Sequence, residues 1–269
     1  MQKPIFLFVL FVGCHIGQPL FAQYNPDTTL DSKNLHADTP RPAIDWKAAP
    51  VKQAFPYKKF LFPSALVVYG VLAIKTDALQ DWNEEAKEEI WTENPHKQIH
   101  LDNYLQFAPA ATVYGLNIVG IHGKNNLLDR SAIYGISTLI MSSVVFSVKK
   151  ISGEWRPDGS DQLSFPSGHT ANAFAGAEFL RQEYKDVSPW YGVAGYLMAG
   201  ATGYLRMYNN KHWLGDVVAG AGVGIISTDL AYYIYPIIKR KIFKNHAVST
   251  MVMPQYQNGA LGLGLVHTF

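Results

Sequence analysis

Three short polar clusters between positions 149 and 216 interrupt a sequence that is otherwise apolar and helix-forming. The first is Lys149 followed by Arg156-Pro157, the second is Pro166-Ser167-Gly168-His169, and the third is Arg206, His212 and Asp216. Two histidines, one carboxylate and three fixed cations are the residue types that handle a phosphoryl group. Arginine presents planar forks of N–H donors that match phosphate oxygens, and lysine adds a point charge. Lys149, Arg156 and Arg206 together can therefore neutralise a phosphoryl group without a metal. His212 and Asp216 are spaced i,i+4, which on a helix puts both side chains on one face. A carboxylate there holds one ring nitrogen while the other attacks phosphorus, the logic of an oriented nucleophile. His169 follows a Pro-Ser-Gly turn and precedes the helix-compatible run 170–180. Ser167, the Gly168 amide and the helix N-terminus can then donate toward an anion, and His169 is free to protonate a leaving oxygen. Taken singly, these residues read as solvated charges, a structural His–Asp hydrogen bond and an ordinary turn. Only the constellation carries the chemistry.

Lys-x6-Arg-Pro, Pro-Ser-Gly-His and Arg-x5-His-x3-Asp, in that order, resemble the three signatures of the type 2 phosphatidic acid phosphatase (PAP2) superfamily. That superfamily includes lipid phosphatases, bacterial class A acid phosphatases and vanadium haloperoxidases. The resemblance spans about residues 60–240 and is strong only in the motifs. It implies that His212 forms a phosphohistidine, that Asp216 orients it, and that His169 is the acid. It also implies that Lys149, Arg156, Ser167, Gly168 and Arg206 bind the phosphoryl oxygens. No metal and no cofactor are expected, and vanadate is expected as an inhibitor. Many members carry Ser before the third-motif Arg, where this chain has Leu205, a difference of at most one hydrogen bond.

The elements that must position these residues are read from the apolar pattern. With 269 residues, 48% of them hydrophobic, the chain is long enough for one large domain. Runs near 60–74, 104–121, 131–148, 171–180, 190–205 and 216–238 are each long enough for a helix. An all-α fold follows, a six-helix core bundle with the active site at one end, because the polar signatures fall at alternate helix junctions. Small residues recur at four-residue spacing in Ala173 with Ala177, Ala199 with Gly203, and Gly220 with Gly224, which lets helices approach closely. Between the first two core runs, Leu79, Trp82, Ala86 and Ile90 share one helical face of an otherwise mostly acidic segment. That segment reads as a surface helix, or as a cap on the active-site end.

Residues 1–22 read as an export signal, with Lys3 ahead of a short apolar core at 5–12 and Leu20-Phe21-Ala22 before Gln23. An uncleaved anchor helix and a lipoprotein signal ending at Cys14 are the alternatives; export to the cell envelope is common to all three. Cys14 is the single cysteine, so a mature chain would have no disulfide. Residues 23–59 are an extended arm in which Pro26, Pro40, Pro42, Pro50 and Pro56 forbid a long helix. The phosphatase domain is expected over 60–245, followed by a tail at 246–269. In that tail Asn258-Gly259 and alternating leucines predict a short C-terminal β-hairpin.

The net charge of +2, with no basic stripe before the C-terminal region, argues against nucleic acid as a partner. The apolar runs can span a bilayer, although the fourth is short and carries Glu178. With the signal cleaved and the first three core helices spanning, the active end would face the cytoplasm, whereas lipid members of the family face it outward. Either the first run, interrupted by Pro63 and Gly70, does not span, or insertion is unconventional. The cations after Pro236, namely Lys239, Arg240, Lys241 and Lys244, fit a cytoplasmic end and an active site on the exported side. The leading reading is a metal-independent phosphatase of an envelope lipid phosphate or pyrophosphate, such as phosphatidic acid, undecaprenyl pyrophosphate or lipid A. A broad-specificity periplasmic acid phosphatase acting on small esters is its close variant. A vanadate-dependent haloperoxidase and a non-catalytic phosphate-binding protein are the other classes. Oligomeric state is not readable from the pattern.

Overall fold

Eight α-helices fill most of residues 54–242, which with 250–257 and 260–267 are the residues described by this computed structural model. Contacts divide the chain into two units, 1–52 and 53–269, and every described residue belongs to the second. The expected export signal, Cys14, most of the expected arm, Lys244 and the Asn258-Gly259 turn lie outside the described residues. The helices are α1 (Tyr57–Lys75), α2 (Asp77–Lys87, running into a π turn at Glu88–Thr92) and the one-turn α3 (Asp102–Leu105). They continue with α4 (Ala108–Ile118), α5 (Leu127–Ser152), α6 (Gly168–Tyr184), α7 (Pro189–Tyr208) and α8 (Leu214–Ile242). Strands β1 (Thr250–Gln257) and β2 (Ala260–His267) pair antiparallel, with Thr250 opposite His267 and Gln257 opposite Ala260.

Local chemistry sets the helix ends. The Asn126 side chain accepts from the Asp129 amide and opens α5, and Ser167 and Ser188 cap α6 and α7 in the same way. Pro189 takes the first position of α7, where its missing N–H costs nothing. Gly153 ends α5 in the left-handed region at φ 60°, where a Cβ would be strained. α1 runs unbroken through Pro63 and Gly70, contrary to the expected interruption. Both residues are buried against α8, so packing holds the helix together where one backbone hydrogen bond is lost.

α6 is the axis of the bundle: 13 of its 17 residues are buried, and α4, α5, α7 and α8 all pack on it. α8 in turn packs on α1 and α5. The expected small-residue spacing is what brings α8 against α6. A Cβ on Gly220 would stand 2.6 Å from the Ser167 carbonyl oxygen, and one on Gly224 would overlap the Ala171 carbonyl. Phe179, Leu180, Tyr184, Ala110 and Val113 form one apolar cluster, and Met141, Val145, Ala171 and Val223 another. Each fully buried Phe or Leu among them contributes about 1.5–3 kcal/mol. Glu178, the residue that made the fourth run look costly, is buried but fully answered. Arg181, Gln182 and Tyr196 donate to its carboxylate at 2.5–2.8 Å.

The outer faces remain apolar. Phe62, Ile118, Leu128, Leu139, Phe146 and Leu197 are each at least 66% exposed, large apolar side chains of the kind that mark membrane or protein contacts where they gather. α1, α5 and α8 are long and apolar enough to cross a bilayer by length and composition. These features support membrane association. Successive long helices alternate in direction, so the C-terminal ends of α1, α5 and α7 meet the N-terminal ends of α6 and α8.

Candidate active site

At that end the His–Asp pair forms, with one difference from the expected helix face. α8 begins at Leu214, so His212 sits in the turn ahead of the helix and Asp216 in its first turn. Asp216 Oδ2 accepts from the Trp213 amide at 2.9 Å, the reach-back of a capping acid. The same oxygen takes His212 Nδ1 at 3.2 Å and the Ser164 hydroxyl at 2.5 Å. His212 Nε2 is thereby turned the other way, 3.5 Å from Arg156 Nη1. The ring is 3% exposed. Burial, and after it the Arg206, Lys149 and Arg156 charges, drive its pKa well below the usual histidine range. The imidazole is therefore neutral at pH 7, and its Nε2 lone pair is available.

The three cations arrive from different elements, each already anchored on one side. Lys149, in the last turn of α5, donates to the carbonyls of Leu163 and Ser164. Arg156 follows the Gly153 stop; its Nε donates to Asp161 Oδ1 at 2.8 Å and its Nη1 to the Lys211 carbonyl at 3.3 Å. Arg206, near the end of α7, is 8% exposed and pairs through Nη1 with Asp102 Oδ2 at 2.5 Å. Fixing one edge of a guanidinium while sparing others is how arginines are pre-aimed at a phosphoryl group.

His169 is the second residue of α6, and its Nε2 lies 2.9 Å from Asn103 Oδ1. Burial, then Arg206, pushes its pKa down to about 4. Gly168 opens α6, so the first amides of that helix face the same end. Ser167 is fully buried and is engaged as the cap, its Oγ accepting from the Thr170 amide and hydroxyl. That leaves its own hydroxyl hydrogen as the group it can offer an anion. The Ser167 amide donates to the Asp216 carbonyl at 3.0 Å, tying the starts of α6 and α8 together. All eight residues singled out in the sequence thus converge on one end of the bundle.

Several functional neighbours went unnoticed in the sequence: Ser164, Asp161, Asp102 and Asn103. The segment 77–91 does reach this end, as both of its readings allowed. Asn83 accepts from the Gly215 amide at 2.9 Å, and Lys87 donates to the Pro157 carbonyl at 3.1 Å while lying 5.2 Å over the Trp213 ring. Among the described residues no group of three or more His, Cys, Asp or Glu side chains is arranged to hold a metal ion.

A model of the PAP2 superfamily matches residues 130–240, the stretch that carries all eight residues. The lipid A 1-phosphatase of Porphyromonas gingivalis is 34% identical over 193 residues, covering 67% of this chain and 43% of that protein. The lipid A 4'-phosphatase of Bacteroides thetaiotaomicron is 39% identical over 72 residues, covering 27% of this chain and 31% of that protein. The crystal structure of Aquifex aeolicus LpxE overlays with a TM-score of 0.44 at 22% identity, covering 56% of this chain and 95% of that one. The chain therefore spans less than half the length of the curated relatives it matches. It belongs to the PAP2 superfamily.

Proposed function

We propose that this protein is a metal-independent phosphatase of a membrane lipid phosphate, with His212 as nucleophile. The observation that carries the reading is the two-sided grip on His212: Asp216 holds Nδ1 at 3.2 Å while Nε2 faces Arg156 at 3.5 Å. A phosphoryl group bound by Lys149, Arg156, Arg206, the Ser167 hydroxyl and the Gly168 amide lies in line with that nitrogen. Nε2 attacks phosphorus, the bond to the leaving oxygen breaks, and His169 gives that oxygen its proton. Water then attacks the phosphohistidine while neutral His169 takes one of its protons. The N–P bond breaks, and phosphate leaves. The cations stabilise the charge that builds on the equatorial oxygens. Among the family's substrate classes, lipid A is favoured by the two relatives named lipid A phosphatases, and the apolar outer faces favour a lipid over a soluble ester.

α1 and α4 to α8 are read as the six-helix family core, with β1 and β2 as an appended hairpin. The active end is read as exported. Arg240 and Lys241 at the far end of α8 suit the cytoplasmic side, while Lys239 is taken up by Asp129 at 2.7 Å. The test is phosphate release by the full chain in detergent from lipid A, phosphatidic acid, a polyprenyl pyrophosphate and nitrophenyl phosphate. Higher kcat/KM on a lipid phosphate is expected. Hydrolysis of the small ester alone would move the protein to the broad-specificity acid phosphatases.

A further inference from the structure

Two adjacent residues outside every motif reach into the active site from the segment between α2 and α4. Asp102 is completely buried and pairs with Arg206; Asn103, next to it and exposed, meets His169. They stand on α3, a single turn too short to hold itself. What holds it is a latch on the last turn of α7. Asn209 exchanges two hydrogen bonds with the Ile99 backbone, both at 2.8 Å, and its carbonyl accepts from Gln98 at 3.1 Å. His96 stacks on Tyr208 with ring centroids 3.6 Å apart and bonds the Tyr208 carbonyl through Nε2 at 2.8 Å. The segment is thus fastened to the same stretch of α7 that carries Arg206.

The ion pair is only half used. Asp102 Oδ1 and Arg206 Nε are both buried without a hydrogen-bond partner. A purely structural Arg–Asp pair at this depth tends to close both prongs of the fork, since each open one carries a desolvation cost. Here the buried Nε–H is left without a partner, at a residue whose motif position is the one the family resemblance assigns to phosphate. Beside it, the Asn103 amide oxygen can only accept, so it requires a hydrogen on His169 Nε2 and fixes the ring's tautomer and plane.

We propose that Asp102 and Asn103 are positioning residues, Asp102 aiming Arg206 at the phosphoryl group and Asn103 holding His169 so that its other nitrogen exchanges the proton with the leaving oxygen. Adjacent Cα atoms are about 3.8 Å apart, so one peptide sets the distance between the phosphate-binding cation and the acid. This inference deepens the phosphatase reading and rests on it.

The test uses the full chain in detergent with an alkyl lipid phosphate and nitrophenyl phosphate. Asn103→Ala is expected to lower kcat/KM on the alkyl phosphate at least about tenfold and to spare kcat/KM on the aryl ester, whose leaving group needs no proton when the phosphohistidine forms. Added to His169→Ala it should cost nothing more. Asp102→Asn is expected to raise KM at least about tenfold on both substrates, with no further loss on top of Arg206→Ala. Asn103 is exposed, so its replacement should leave the melting temperature unchanged. Equal losses of kcat/KM on both esters for Asn103→Ala, or additive losses in the double variants, would overturn the proposal. A wild-type chain that releases no phosphate at all refutes the phosphatase reading instead. Asp102→Asn must then still weaken inorganic vanadate binding about tenfold, and unchanged vanadate binding overturns the positioning role.

Discussion

The Ser164 hydroxyl donates to Asp216 Oδ2 at 2.5 Å, on the same carboxylate oxygen that holds His212 Nδ1. Both Ser164 and Asp216 are buried, so water cannot replace either partner. Removing the hydroxyl takes one of three donors from that oxygen and leaves the carboxylate freer to turn. Ser164→Ala is expected to lower kcat about tenfold and stability by about 1–3 kcal/mol. Asp216→Asn is expected to lose far more, because it favours the wrong imidazole tautomer. In the Asp216→Asn background Ser164→Ala should change kcat no further. Steady-state rates of the four proteins decide the matter, and an unaltered kcat in Ser164→Ala would show that Trp213 alone suffices to fix the carboxylate.

The two histidines are assigned to different steps, and their loss should differ in kind. His212→Ala is expected to abolish the covalent intermediate and turnover together. His169→Ala should slow formation of the intermediate from alkyl phosphates by about 10² to 10⁴ and from an activated aryl phosphate much less. Rapid quench with ³²P-labelled substrate at alkaline pH, where phosphohistidine survives, reads both effects. Label trapped on the His212→Ala protein would reverse the assignment.

Legibility of these roles followed distance along the chain. His212 and Asp216 are four residues apart, and Pro-Ser-Gly-His is contiguous, so residue type and spacing display their chemistry directly. Asp102 meets Arg206 across 104 positions, and Ser164 meets Asp216 across 52. Nothing local separates such an aspartate from a solvated charge or such a serine from a loop residue. The helices were legible because the apolar runs are each long enough for one. Pro63 misled because a local rule counts the lost hydrogen bond and cannot see α8 packed beneath it. α3 was folded into a longer apolar run for a similar reason, since what shapes it is Asn209, more than a hundred residues away.

Acid dependence follows from His169. Burial and Arg206 hold its pKa at about 4, so in the empty site it is neutral at pH 7. Protonated His169 with a bound dianion has the same proton count as neutral His169 with the monoanion, and phosphate esters lose their second proton near about pH 6. As pH rises through that value kcat/KM should fall with unit slope. The bound dianion offsets the surrounding cations and raises His169, so kcat should hold to higher pH before it falls. Rate profiles between about pH 5 and 9 test this order. A kcat/KM that is flat or rises toward alkaline pH would remove His169 from the proton transfer.

Three cations in place of a metal predict that activity survives chelation. Vanadate, which adopts the five-coordinate geometry of the transition state, should inhibit competitively with a constant below the substrate KM. Loss of activity in chelator that returns with a divalent ion contradicts the metal-free reading. Bromide oxidation dependent on added vanadate would instead point to haloperoxidase chemistry in the same pocket.

Gly168 separates what the fold needs from what the site needs. It opens α6 outside the left-handed region, and a Cβ there would meet only Val145 Cγ1 at 3.6 Å, an ordinary contact. Gly168→Ala is therefore expected to leave stability unchanged or to raise it by about 0.4–1 kcal/mol, through a less flexible unfolded chain. If a phosphoryl oxygen docks on the first α6 amides, an added methyl group crowds its approach. KM, and the inhibition constant of inorganic phosphate, should rise about tenfold or more, since even 1.4 kcal/mol of lost contact is tenfold in affinity. Thermal melting and phosphate inhibition on the same preparation give both numbers. Unchanged inhibition in a protein of unchanged melting temperature would move the phosphoryl group away from the α6 N-terminus and onto Lys149, Arg156 and Arg206 alone.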